Sequence, residues 1–204
     1  MLPCIELRYS SLWVAAVFAV LLVSLGEPAL AHSGEGHSGG FISGFLHPIF
    51  GWDHVVAMVA VGLWGAVLGS PAIWILPIVF PLVMAFGAAL GILGVPIPFI
   101  EVGIALSGLV LGLLVAFLIK APMAAAAVLV GAFAIFHGHA HGTELPQAVS
   151  AYTYGVGFVI ATGLLHAAGI LLGTLMGSQV GRYVVRGSGA LIALVGAAFL
   201  MGFA

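Results

Sequence analysis

Of the 204 residues, 63% are hydrophobic and 5% charged, with a formal net charge of −2 and a mean hydropathy of +1.33. A soluble globular domain carries roughly a quarter of its residues as charges, so this composition excludes that class and predicts an all-α, polytopic helix bundle in a lipid bilayer. The apolar runs are continuous rather than alternating, which argues against a transmembrane barrel. The four basic residues, Arg8, Lys120, Arg182 and Arg186, are too scattered to serve nucleic-acid binding.

Arg8 precedes the apolar run Leu12 to Leu25, and Ala29-Leu30-Ala31 supplies small residues at its end, so residues 1–31 read as a cleaved signal peptide. Glu6 offsets Arg8, and an uncleaved first span is the alternative. Residues 32–204 then form one transmembrane domain. Cys4, the single cysteine, falls in the removed part, so a metal site in the mature chain must use imidazole, carboxylate, thioether or backbone ligands.

His32 to Gly40 reads as a short Gly- and Ser-rich tail, followed by six spans. The first runs from Phe41 to Gly69, interrupted near Pro48 and Gly51. The second, Ile73 to Gly94, contains Pro77 and Pro81, which are expected to kink or break it. Pro98 to Ile119, Pro122 to about His141, Gln147 to Gly177 and Val184 to the C-terminus supply the rest. Small residues spaced by four at Gly87/Gly91, Gly108/Gly112, Gly169/Gly173 and Gly173/Gly177 suit close helix packing in lipid. With the mature N-terminus outside, Lys120, Arg182 and Arg186 all fall on the inner side, as the positive-inside rule prefers. The same orientation gathers His32, His37, His47, Glu101 and the stretch His137 to Glu144 at the outer side.

Two motifs stand out in this apolar background, where each polar group is costly to place. In HPIFGWDHVVAM, His47 to Met58, His47 precedes Pro48 and is expected to leave helical geometry. His54 is seven residues further, about 10 Å along a straight helix, so one ion can reach both imidazoles only if the chain bends at Pro48 or Gly51. Asp53 is either a ligand or an acceptor that orients an imidazole, and Met58 lies one turn below His54. In FHGHAHGTE, Phe136 to Glu144, His137, His141 and Glu144 share one helix stripe while His139 points elsewhere. Glu101 occupies the first turn of the third span, where a carboxylate also suits the helix dipole. His166 lies deep in the fifth span and is expected to face a cavity or partner, as a step on an exit path. Neutral imidazoles suit Zn²⁺, Ni²⁺, Co²⁺ and Cu²⁺.

These paired motifs resemble the two signatures of the HupE/UreJ family of nickel and cobalt permeases, and the signal peptide and six spans extend the resemblance over the whole chain. The resemblance implies secondary uptake of Ni²⁺ or Co²⁺ across the bacterial cytoplasmic membrane, with the ion as substrate and no prosthetic group. It places metal ligands at His47, Asp53 and His54 in the first motif, at His137, His141 and Glu144 in the second, and at Glu101 in the third span. His32 and His37 in the tail are candidates for collecting ions. The chain holds no P-loop lysine pattern, which argues against ATP hydrolysis, and a homo-oligomer is compatible with this reading. An intramembrane zinc-dependent hydrolase is the alternative, since it also draws His and Asp or Glu from several helices; a haem-binding electron carrier is a weaker third. Ligand type does not separate nickel from cobalt.

Overall fold

The computed structural model describes residues 40–145 and 150–203, and all of them belong to one compact unit. The signal peptide, His32 and His37 lie outside the described residues. Among those described, every regular element is helical. In chain order they are α1 (Gly40–Phe50), α2 (Trp52–Leu68), α3 (Ala72–Ile92), α4 (Ile100–Ala116), α5 (Met123–Glu144), α6 (Ala151–Gly173), a 3₁₀ turn (Thr174–Gly177) and α7 (Gln179–Leu200).

Four helices, α3, α5, the α6 segment Ala151–Gly177 and α7, are each long and apolar enough to cross a membrane. α1 and α2 meet that test together as a pair bent by 77°, and α4 is shorter, at 17 residues. Residue 51 alone separates α1 from α2. Gly51 has an extended backbone, φ −82° and ψ 107°, yet its N–H still donates to the His47 carbonyl (3.0 Å) and its own carbonyl accepts from the amides of His54 and Val55. The chain therefore turns sharply at one residue with little loss of backbone pairing. This corrects the expectation for His47: the residue is helical, in the last turn of α1, and Pro48 lies inside that helix. The break falls three residues later.

α2 is the central helix, in contact with α3, α4, α6 and α7. Met58, Ala60, Val61, Leu63 and Trp64 are all buried there, so Met58 belongs to the apolar core. α3 runs unbroken through Pro77 and Pro81 from Ala72 to Ile92, so the expected break does not occur. Its neighbour α5 is held so close that a methyl group at Gly138 would strike the Met84 carbonyl, and one at Gly142 the Ala88 carbonyl. Gly87 and Gly91 return the contact, facing the Ile135 and His139 carbonyls at 2.5 Å from an added Cβ. Gly62 and Gly169 bring α2 against α6 in the same way, and Gly112 and Gly189 bring α4 against α7. Gly177 meets nothing within 4 Å, so the Gly173/Gly177 spacing contributes no such contact.

The end of the bundle away from Gly51 is tied by polar side chains. Lys120 Nζ donates to the Val67 carbonyl, Trp64 Nε1 to the Ile119 carbonyl at 3.0 Å, and Arg186 Nε to the Ala116 carbonyl at 2.9 Å. Val67 and Ala116 lie in the last turns of α2 and α4, so cations cap the two helix termini whose carbonyls lack intrahelical donors. α7 begins at Gln179, five residues before the expected start, because the Ser178 hydroxyl caps it by accepting from the Gly181 amide at 2.9 Å.

Candidate metal centre

The bend at Gly51 decides what the first motif can do. It folds the last turn of α1 back over the first turn of α2 and brings the His47 and His54 rings to a centroid separation of 5.3 Å, against the roughly 10 Å a straight helix would impose. Gly51 is required there for space as well as for the turn: a Cβ would stand 2.8 Å from His54 Nδ1 and 3.1 Å from Asp53 Oδ1.

α5 delivers the third imidazole. Gly138 and Gly142 let it settle into α3 and so fix its rotation, which turns His141 toward the first motif. One nitrogen from each of His47, His54 and His141 lies within 4.8 Å of the others, and the Nε2 atoms of His54 and His141 are 2.6 Å apart. An ion bound about 2.1 Å from each imidazole nitrogen separates them by about 3.4 Å in a tetrahedral site. Small side-chain rotations reach that arrangement from the one observed. His54 and His141 are buried and His47 is half-buried, so the group is sheltered from bulk solvent but reachable.

The surroundings prepare His54 as a ligand. Its Nδ1 stands 2.7 Å from Asp53 Oδ1, close enough for the carboxylate to hold the proton on Nδ1 and leave the Nε2 lone pair for a cation, though the N–H is not fully aligned on the oxygen. Asp53 thus faces His54 and is not grouped with the three imidazoles. His137 lies one turn deeper on α5, with its ring 5.4 Å from that of His54. Its Nδ1 donates to the Phe133 carbonyl at 3.0 Å, and its buried Nε2 has no hydrogen-bond partner. An unsatisfied buried polar atom costs about 1–3 kcal/mol, and His137 is not among the three residues whose nitrogens lie within 4.8 Å of one another.

Not every predicted ligand joins the cluster. Glu101 is exposed in the first turn of α4, and Glu144 is exposed at the last residue of α5; neither is grouped with the imidazoles. His139 points away, as expected, and its Nε2 donates to the Val95 carbonyl at 2.7 Å, pinning the α3–α4 connection. His166 is buried at 1% exposure, deep in α6.

Two α6 residues that the motifs did not single out also line the centre. The Phe158 ring is 4.4 Å from that of His141, and the Tyr154 ring 6.2 Å from that of His47. They are four apart on one helix face, a spacing that is readable once α6 is known to pack on the first motif. A cleft between α3, α5 and α6 reaches His141, lined by Met84, Gly138, Gly142, Tyr154 and Phe158. Neutral imidazoles are ligands that suit borderline divalent cations such as Zn²⁺, Ni²⁺, Co²⁺ and Cu²⁺.

The chain matches the family model described as HupE / UreJ protein over residues 19–199. It is 48% identical over 182 residues to Protein HupE from Rhizobium leguminosarum bv. viciae, an alignment covering 89% of this chain and 95% of that relative. No solved structure matches it.

Proposed function

The chain belongs to the HupE/UreJ family and is an integral membrane protein, and from that premise we propose that it is a secondary transporter of Ni²⁺ or Co²⁺ into the bacterial cytoplasm. In this reading six spans cross the cytoplasmic membrane, the mature N-terminus is outside, and the imidazole cluster faces the outer side. The observation that carries it is the meeting of His47, His54 and His141 from three helices within 4.8 Å.

Exposed Glu101 and Glu144 draw divalent cations toward the outer surface. The ion exchanges water for the nitrogens of His47, His54 and His141, with Asp53 holding His54 in register and the His137 nitrogen offering the next position inward. A membrane potential of 100 mV, negative inside, favours entry of a divalent ion by about 4.6 kcal/mol, roughly three orders of magnitude in accumulation. That suffices for uptake without ATP.

The hydrolase alternative gains no support from the family or the relative, and the geometry disfavours it: it needs a carboxylate free to act as base at an open metal position, whereas Asp53 is turned to His54 Nδ1. A haem carrier fares worse, because nitrogens 2.6 Å apart leave no plane for a macrocycle between them.

Competitive uptake of radiolabelled Ni²⁺ and Co²⁺ into cells lacking their own transporters, with and without an uncoupler, tests the proposal. Expression of this chain should raise uptake of at least one ion, and the uncoupler should abolish the rise. His47→Ala, Asp53→Ala and His141→Ala should each lose it at matched expression. Wild-type uptake by all three variants would overturn the site assignment.

A further inference from the structure

The transport reading leaves one buried polar group unused, and it lies further down α6. His166 is 1% exposed and neither ring nitrogen has a hydrogen-bond partner; Thr162, one turn earlier on the same face, is fully buried with its hydroxyl also unpartnered. That hydroxyl is unusual in this chain. Thr143, Thr153 and Thr174 all donate back to a carbonyl three residues earlier on their own helix, the ordinary arrangement for a helical threonine, whereas Thr162 does not.

A third polar group completes the set. Pro81 has no N–H to offer the Pro77 carbonyl across the turn of α3, the helix whose Phe80 ring lies 5.5 Å from that of His166. Two helices thus present an imidazole, a hydroxyl and a proline-freed carbonyl in the apolar interior.

This group lies in line with the outer cluster. The Phe158 ring lies 4.4 Å from that of His141, tilted by 57°, and His166 is eight residues further along α6, about 12 Å deeper. The Phe80 ring stands between the two levels, 5.5 Å from the His137 ring and 5.5 Å from the His166 ring. Rotation of that one side chain would connect the unpartnered His137 Nε2 to His166.

We propose that His166, Thr162 and the Pro77 carbonyl form a second, weaker station for the transported divalent cation, reached from the outer imidazole cluster past Phe80. The inference rests on the transport reading for its direction, not for the existence of the site. One imidazole and two neutral oxygens hold a divalent ion more loosely than three imidazoles do, so affinity falls along the path and release inward is favoured.

Equilibrium dialysis of the purified full chain against radiolabelled Ni²⁺ reads the station directly, as the difference between wild type and variant, since His32 and His37 are present in both. His166→Leu and Thr162→Val/His166→Leu should bind one ion fewer than wild type while keeping the tight ion. His54→Ala/His141→Ala should lose the tight ion and keep the weak one. In uptake, His166→Leu should lower the maximal rate about tenfold with the half-saturating concentration unchanged, because the outer cluster sets capture. His166→Gln, whose amide oxygen can still ligate, should recover part of that rate. Equal ion counts for wild type and a His166→Leu protein that keeps the tight ion would overturn the station, as would a wild-type uptake rate. If the wild-type chain takes up no metal, the transport reading falls and the dialysis still decides the station.

Discussion

Gly51 does more for the site than its lack of chemistry suggests. A Cβ there would stand 2.8 Å from His54 Nδ1, so Gly51→Ala must displace the imidazole or open the bend. Uptake should fall about tenfold or more, as for other losses of ligand orientation, while Gly155→Ala and Gly163→Ala, where nothing lies within 4 Å, should match wild type. Asp53→Asn keeps an oxygen beside His54 but removes the charge that favours a proton on Nδ1, and should weaken Ni²⁺ binding about tenfold to a hundredfold in dialysis. Acid acts on the same atoms. A protonated imidazole has no lone pair to give, so uptake should decline in acid and recover on return to neutrality; a profile that stays flat into strong acid would speak against imidazole capture.

The contact of α3 with α5 is set by Gly138 and Gly142 from one side and Gly87 and Gly91 from the other. Carbonyls occupy the space that side chains would need, so Gly138→Val should separate the helices and swing His137 and His141 away from α2. Overpacking of a well-filled contact costs about 1–3 kcal/mol, which should appear as a lower thermal midpoint in detergent together with lost metal binding. Gly177→Ala is the matched control and should change neither. The glycine spacing in α3 and α4 and the thin face of α5 are legible in the sequence, because small residues four apart can only line one stripe. Their partners are not, because any of several helices could have filled the groove.

Across the bundle, the imidazole cluster sits at the Gly51 end of α2, and Lys120 caps its other end. The proposed topology, six spans with the mature N-terminus outside, would put Lys120 in the cytoplasm and the C-terminus outside. Alkaline phosphatase fused after Phe203 should therefore be active and a fluorescent protein fused there dark, with the reverse at Lys120. Matching behaviour at both points would break the six-span topology.

Composition determined that the chain is helical and lives in a bilayer, since 5% charge cannot solvate a globular surface. Pattern marked the candidate imidazoles and most helix bounds, because imidazoles and prolines are conspicuous among Leu, Val and Ala. Pattern left the break open between Pro48 and Gly51: Pro48 is the stronger helix breaker by propensity, and the turn falls at Gly51, where a side chain would strike His54 and Asp53. Nor could spacing tell that Glu144, on the His137 stripe, stays exposed beyond the end of the packed contact, or that Glu101 remains apart from the cluster. Only the tertiary structure decided which three nitrogens meet, because that depends on the 77° bend between α1 and α2 and on the rotation of α5 against α3, both of which are fixed by contacts between residues far apart in the chain.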